Sequence, residues 1–106
     1  MNKINQILMF LLFPILGCSG LSPRENFKMQ MNNLIGKRID DIPDYKFGNK
    51  KYLIKTLNLS GDTYENIYTE EGPFGKCSYA LDIDSKTKKV IGWRSHGDEK
   101  GCQVIP

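Results

Sequence analysis

Apolar side chains recur every three or four positions between residues 23 and 35, which predicts an amphipathic helix over this span. The stripe on one side of this helix consists of Phe27, Met31, Leu34 and Ile35. We interpret the stripe as core packing rather than as a surface for a partner, because a helix of a small domain buries its apolar face.

The ends of this helix carry start and stop signals. Ser22 suits the N-cap, Pro23 suits the first helical position, and Glu25 completes a capping box three residues after the cap. Gly36 is a natural stop at the C-terminal end. The predicted helix therefore has defined limits.

A connecting region and four strand-like runs follow the helix. Ile39 and Ile42 are three positions apart and predict a single helical turn. Beyond it, runs rich in β-branched and aromatic residues are separated by turn residues, which predicts strands. These runs cover residues 52–59, 63–70, 77–83 and 90–95.

The third and fourth runs predict a hairpin with an apolar inner face. In the third run Cys77, Tyr79, Leu81 and Ile83 share one face, and in the fourth run Ile91 and Trp93 share one face. We expect both faces to pack against the helix stripe. The predicted fold class is α+β, with one N-terminal amphipathic helix packed on a three- or four-stranded antiparallel sheet.

Residues 7–16 form the one long apolar run of the chain, ILMFLLFPIL. A helix that spans a membrane needs about 20 apolar residues, so this run is too short for a stop-transfer segment. With Lys3 before it, the run fits the apolar region of a signal peptide. A buried core helix is the alternative, but nothing else in the chain is apolar enough to cover it.

The run ends in ILGC, which resembles the lipobox of bacterial lipoproteins, with a branched apolar residue three positions before Cys18 and a small residue directly before it. The resemblance implies that the Cys18 sulfur receives a diacylglycerol, that cleavage occurs before Cys18, and that the new amino group is acylated. Two or three acyl chains attach a protein lastingly to a membrane, whereas one does so only marginally. Ser19 in place of Asp implies sorting to the outer membrane, with the domain in the periplasm and the inner membrane as the alternative.

This interpretation divides the chain of 106 residues into three parts. They are a signal peptide (residues 1–17), a lipidated anchor with a short tether (residues 18–21) and one small α+β domain (residues 22–106). A tether of three or four residues reaches only ~10–14 Å when it is extended. The domain would therefore sit against the leaflet that holds its lipid.

Composition and charge add little to this picture. The chain has 25% charged and 40% hydrophobic residues, which is ordinary for a globular protein. The formal net charge is +3, and removal of residues 1–17 takes away only Lys3 and leaves 14 basic and 12 acidic residues. So small an excess argues against a nucleic-acid partner, which selects for a concentrated basic face.

Export to an oxidising compartment makes a disulfide the simplest state of Cys77 and Cys102. Such a bond would pin the C-terminal tail to the sheet and stabilise the fold by ~3–4 kcal/mol in the chain-entropy model. A zinc site is a weaker alternative, because it needs more ligands than two distant cysteines and one histidine. A catalytic thiol needs a nearby base, and His96 is the only histidine.

The sequence carries no catalytic constellation and no cofactor or metal motif, so we expect neither an enzyme nor a small-molecule substrate. His96 has Ser95 and Asp98 nearby, but neighbouring residues on a strand point to opposite faces and do not form a triad by proximity alone. Residues 82–84 resemble the start of a calcium loop, yet a third oxygen ligand and the required glycine are missing after them. A hairpin turn is the better interpretation of this segment.

Two groups of side chains are candidates for contact with a membrane surface or a partner. The first group consists of Lys46, Lys50, Lys51 and Lys55. Each cation near an anionic membrane contributes up to ~1 kcal/mol, although lysines also keep strand edges from pairing with one another. The second group consists of Tyr64, Tyr68 and Phe74, which we expect to be exposed.

Two segments together resemble a family of small Gram-negative lipoproteins. NNLIGKRIDDI is similar to the segment in which their helix ends at glycine and a second helical turn follows. CSYALDIDSKTKKVIGWRSHGDEKGC is similar to their C-terminal hairpin, glycine loop and second cysteine. With the lipobox, this order resembles the SmpA/OmlA (BamE-like) lipoproteins, except that residues 43–45 shorten or remove the second helix. The resemblance implies a non-enzymatic scaffold that binds other proteins during envelope assembly.

We therefore expect a membrane-anchored, non-catalytic lipoprotein. Its domain would bind an envelope protein or support the envelope, in outer-membrane assembly or maintenance. The alternative is an inhibitor or phage-exclusion module that acts on an envelope enzyme or receptor, because small size, a disulfide and exposed aromatic residues suit such a protein.

Overall fold

The computed structural model describes residues 21–59 and 61–105, which form one α-helix and four strands. The helix is α1 (Pro23–Asn32), and the strands are β1 (Leu53–Asn58), β2 (Thr63–Gly72), β3 (Gly75–Asp84) and β4 (Val90–Ser95). They build one antiparallel sheet in the order β1-β2-β3-β4, which confirms the predicted helix and antiparallel sheet. No helix within these described ranges is long and apolar enough to cross a membrane. The predicted signal peptide (residues 1–17) and the lipidation at Cys18 lie outside the described residues.

The predicted capping box fixes the start of α1. The Glu25 N–H donates a hydrogen bond to Ser22 Oγ at 3.1 Å, and the Ser22 N–H donates to Glu25 Oε1 at 3.4 Å. Two N–H groups at the first turn thereby gain partners that the helix itself does not provide. The local sequence therefore determines where α1 begins.

The end of α1 comes at Asn32, three residues earlier than the sequence predicts. The Leu34 N–H donates to the Met31 carbonyl and the Ile35 N–H to the Asn32 carbonyl, so the chain tightens into a turn with bonds three residues apart. This turn keeps Leu34 in the core but leaves Ile35 47% exposed. The assignment of Ile35 to the buried stripe is therefore wrong.

The hydrophobic core lies between α1 and one face of the sheet. β3 supplies the predicted inner residues, Cys77, Tyr79, Leu81 and Ile83, all of them buried. From α1, Phe27 makes edge contacts with the rings of Phe47, Tyr79 and Trp93, with centroids 5.0, 6.4 and 5.8 Å away. The predicted packing of the helix stripe on the hairpin is confirmed for these residues.

β4 reaches the core through Val90 and Trp93 rather than through Ile91. The pairing of β3 with β4 is irregular between Asp82 and Ile83, and it leaves Ile91 opposite no residue of β3. Ile91 is 50% exposed, so the expected contact between Ile91 and the helix stripe is wrong.

The connecting region after α1 packs over β2. Its 3₁₀ turn at Ile39–Asp41 confirms the predicted single helical turn, and a second one follows at Lys50–Tyr52. Gly48 has a φ of +87°, and a Cβ there would lie 3.0 Å from Leu81 Cδ1, so the position suits glycine on both counts. The Gly48 N–H donates to the Tyr79 hydroxyl at 2.6 Å, which ties this region to β3.

The predicted disulfide joins Cys77 of β3 to Cys102, with their Cα atoms 4.7 Å apart. The loop after β4 returns along β3, because the Ser78 N–H donates to the Asp98 carbonyl at 2.8 Å. The bond therefore closes a segment that backbone hydrogen bonds already place beside β3.

Beyond the disulfide, the C-terminal tail reaches the start of α1. The Val104 N–H donates to the Pro23 carbonyl at 2.9 Å. The buried Asn26 side chain donates through Nδ2 to the carbonyls of Val104 and Ile105, at 3.2 and 3.4 Å. The two ends of the domain are thus held together.

The closest approach of the tail to β3 is at Gly101. A Cβ there would overlap the carbonyl group of Gly75 and approach the carbonyl carbon of Lys76. We expect Gly101→Ala to lower the free energy of unfolding by about 3 kcal/mol, because backbone atoms cannot move aside as a flexible side chain does. Urea unfolding of the purified protein measures the difference.

Gly72→Ala is the matched control, since a Cβ at Gly72 meets no atom within 4 Å. It should change the free energy of unfolding by less than about 0.5 kcal/mol. Equal losses in the two variants would contradict the close approach at Gly101.

Candidate functional site

The four candidate lysines lie in consecutive segments beside β1. Lys46 is in the loop before Gly48, Lys50 and Lys51 are in the second 3₁₀ turn, and Lys55 is in β1. All four are exposed. The four lysines are therefore accessible, although Lys46 and Lys50 line different hollows of the surface.

The candidate aromatic residues are less exposed than the sequence suggests. Tyr68 is 1% exposed and stacks on Tyr79, with ring centroids 5.3 Å apart, so the expectation of an exposed Tyr68 is wrong. Tyr68 and Tyr64 share the face of β2 that points to the core, because they lie four residues apart on one strand. Tyr64 and Phe74 are half-buried.

A hollow of about 370 Å³ lies between the connecting region and β2. Its wall includes Lys50, Leu53, Tyr64, Asn66 and Tyr68. Two of these residues are joined, because Asn66 Nδ2 donates to the Tyr68 hydroxyl at 3.0 Å, and Asn66 Oδ1 accepts a hydrogen bond from the Thr56 hydroxyl at 2.7 Å. Burial raises the pKa of Tyr68 to about 12, so this hydroxyl stays protonated at neutral pH.

A cluster of charged side chains lies on the opposite face of the sheet, and the sequence does not indicate it. The Arg94 guanidinium donates from Nε and Nη2 to the two oxygens of Glu65, at 2.9 and 2.8 Å. Glu65 is buried, whereas about half of the Arg94 side chain is exposed. Asp82 stands opposite Glu65 in the ladder between β2 and β3.

The two carboxyl groups of this cluster are shifted in opposite directions. The hydrogen bonds from Arg94 lower the pKa of Glu65. Burial is the largest cause that raises the pKa of Asp82, followed by hydrogen bonding of its protonated form to Glu65 and by repulsion from the Glu65 charge. Asp82 Oδ1 is buried and has no hydrogen-bond partner among the described residues. Asp82 therefore releases its proton at a higher pH than a carboxyl group in water would.

Sequence reasoning missed this cluster because it depends on register. Glu65 and Asp82 face each other only because β2 and β3 pair in one particular alignment, and Arg94 joins them from β4 beside Ala80. The one available signal is that Asp82 alternates with the apolar residues of β3, which places it on the outer face.

The other candidate residues of the sequence lie at the end of β3 and just after β4. Groups of three or more His, Cys, Asp or Glu side chains able to hold a metal ion are absent from residues 21–59 and 61–105. At the end of β3, Asp84 Oδ2 accepts hydrogen bonds from the Thr87 N–H and hydroxyl, both at 2.8 Å, which confirms the hairpin turn. The His96 ring is half-buried, and its Nδ1 lies 3.4 Å from Arg94 Nη1.

The pKa of Asp82 is raised in the fold and that of Asp84 is lowered, so Asp→Asn variants at the two positions should change stability in opposite directions. Because the pKa of Asp82 is raised in the fold, its contribution to stability is present at low pH and is lost as the pH rises through that pKa. We expect Asp82→Asn, which mimics the protonated form, to be more stable than the natural protein at pH 7. The difference should vanish below about pH 3, where the carboxyl group is protonated in both states.

Asp84→Asn is the control with the opposite sign. Hydrogen bonds from Thr87 lower the pKa of Asp84, so its contribution is present at neutral pH and is lost as the pH falls. Asp84→Asn should therefore be less stable at pH 7. Thermal unfolding of both variants across the pH range measures this, and shifts of the same sign at pH 7 would contradict the assigned electrostatics.

No protein-family model, curated protein or solved structure matches this chain. The resemblance to the SmpA/OmlA (BamE-like) lipoproteins therefore stays a prediction, and functional inference rests on the residues described above.

Proposed function

We propose that this chain is a lipoprotein of the cell envelope, held to the outer membrane by lipid on Cys18, whose domain binds another envelope protein without catalysing a reaction. The observation that carries the proposal is ILGC at the end of a short apolar run, followed by only three residues before the capped helix. Such a tether spans about 10 Å when extended. The start of α1 would then lie close to the membrane surface.

The way α1 is held supports this attachment. Its first residue, Pro23, accepts a hydrogen bond from Val104, and the tail that carries Val104 is joined to β3 through Cys102 and Cys77. A force applied at the lipid would pass through these contacts into the middle of the sheet. The start of α1 would therefore stay joined to the sheet when the lipid holds it at the membrane.

The exposed surface supports partner binding. Tyr45 is 83% exposed and Ile54 is 63% exposed, although both are large side chains that proteins usually cover in part. Leu53, which precedes Ile54 in the chain, is 37% exposed. Exposed apolar side chains that adjoin one another support an interaction site.

The inhibitor or phage-exclusion alternative has less support. It rested in part on three exposed aromatic residues, of which Tyr68 is buried and Tyr64 and Phe74 are half-buried. A partner that is a hydrolase, porin or phage receptor would favour this alternative over a role in assembly.

Attachment is tested by Cys18→Ala. Without the sulfur there is no site for the diacylglycerol, so we expect the protein to leave the membrane fraction of lysed cells. Ser19→Asp is the control, because it keeps the lipid and should stay in the membrane while moving from the outer to the inner membrane. A Cys18→Ala protein that stays in the membrane fraction would contradict lipid anchoring.

Partner binding is tested by amine-reactive crosslinking in intact cells. The lysines are spread over the surface, so a bound protein should be captured wherever it docks. We expect an envelope protein to be crosslinked in cells that carry the natural chain, and mass spectrometry identifies it. The Cys18→Ala form is the control, because it has lost its place at the membrane. Failure to crosslink any envelope protein would contradict a partner-binding role.

A further inference from the structure

The two edge strands of the sheet, β1 and β4, differ in whether other backbone pairs with their outer side. The connecting region covers one end of β4, where the Gly36 N–H donates to the Val90 carbonyl at 2.8 Å and the Val90 N–H donates to the Lys37 carbonyl at 2.9 Å. An isolated bridge between Arg38 and Lys89 continues this contact. No residue in the ranges 21–59 and 61–105 pairs in the same way with the outer edge of β1.

The ladder shows which groups of β1 point outward. The Leu59 N–H donates to the Thr63 carbonyl at 3.2 Å. Because hydrogen-bonded pairs alternate along an antiparallel ladder, Leu57 and Lys55 bond to β2, whereas Thr56 and Asn58 turn their N–H and C=O groups away from it. These groups can bond to a further strand.

The side chains of β1 are also largely exposed to solvent. Five of its six residues are exposed and the sixth is half-buried. Ile54 is the most exposed of the apolar ones, at 63%, and Leu53 before it is 37% exposed. Sheet edges are normally short, twisted or charged to prevent association, and an edge with exposed apolar residues is open to pairing. The irregularity between Leu53 and Lys55 disturbs only the start of this edge.

Charge determines what kind of strand suits this edge. Residues 45–59 contain four lysines and no acidic residue. A second copy of the chain would bring lysines against lysines, because Lys55 lies near the middle of β1 and Lys50 and Lys51 lie just before it. Like charges on facing strands are destabilising, whereas opposite charges stabilise the pairing.

We propose that the outer edge of β1 docks an extended, acidic segment of a protein partner, which adds to the sheet as a fifth strand. This inference rests on the proposed partner-binding function and names the surface that performs it. Backbone hydrogen bonds to Thr56 and Asn58 supply attachment to any extended chain, and the lysines select one rich in Asp and Glu. Lys55 then has two effects, since it opposes pairing between two copies and favours an acidic strand.

Two synthetic heptapeptides test the charge preference against the full lipidated protein in detergent micelles. The acidic probe is acetyl-TEVEVTE-amide, and the basic probe with the same strand-forming pattern is acetyl-TKVKVTK-amide. We expect the acidic peptide to shift the amide NMR resonances of β1 residues 53–58. The basic peptide should bind on the order of tenfold more weakly, because its charges repel Lys55 and its neighbours.

Two pairs of variants test the edge itself. Thr56→Pro removes an outward N–H and should abolish binding of the acidic peptide, whereas Thr56→Val keeps that N–H and loses only the hydrogen bond to Asn66. Lys55→Glu should weaken binding by about tenfold, whereas Lys89→Glu, at an exposed position beyond β3, should not. The amide NMR resonances of β2 and β3 report whether each variant is folded. If Thr56→Pro unfolds, the comparison of Lys55→Glu with Lys89→Glu tests the docking edge instead.

Four results would overturn the proposal. They are equal binding of the two peptides, no shift of β1 amides with either peptide, self-association of the protein through β1, and β1 shifts with phosphatidylglycerol vesicles but not with the acidic peptide. A protein that crosslinks to an envelope partner in cells but fails these peptide tests would keep the proposed function and lose only this docking surface.

Discussion

The disulfide between Cys77 and Cys102 fastens the C-terminal tail covalently to β3, beside which backbone hydrogen bonds already hold it. In the chain-entropy model, closing a loop with a sequence separation of 25 residues stabilises the fold by about 3.5 kcal/mol. Small domains have total stabilities of only ~5–15 kcal/mol, so this bond is a large contribution. Its effect extends to the helix, because the tail beyond Cys102 bonds to Pro23 and Asn26. The start of α1, the tail and β3 therefore form one unit.

The two faces of the sheet are covered by different kinds of side chain. On one face α1 and the connecting region cover an aromatic cluster around Phe27 and Tyr79. On the other face Arg94 lies across Glu65 and shields it, while half of its own side chain remains in water. A paired carboxylate is tolerable at such a place because the guanidinium satisfies both of its oxygens. Burial, together with the nearby charge of Glu65, instead raises the pKa of the neighbouring Asp82.

The proposed anchor and the proposed docking edge lie at different elements of one packed domain. The lipid would act on the start of α1, which the tail and the disulfide connect to β3. From β3 the ladder runs through β2 to β1, whose outer edge is open. The distance of that edge from the membrane would therefore be set by the fold rather than by a flexible linker. A lysine-rich edge held in this way would meet extended acidic segments at a fixed height above the lipid surface.

The sequence alone determined the start of the helix and the order of the four strands, because helix caps and strand alternation depend on neighbours in the chain. It also predicted the disulfide, because an exported chain with Cys18 lipidated has two cysteines left to pair. Tertiary structure decided the register of the strands, which no local pattern records. With the register observed, Tyr68 is buried in the core and Ile91 is exposed at the surface. The same register brings Glu65, Asp82 and Arg94 together from three strands. It also decided which edge was covered, because the connecting region pairs with β4 and leaves β1 open. Contacts between residues far apart in the chain arise from packing the whole domain, so they appear only in the folded molecule.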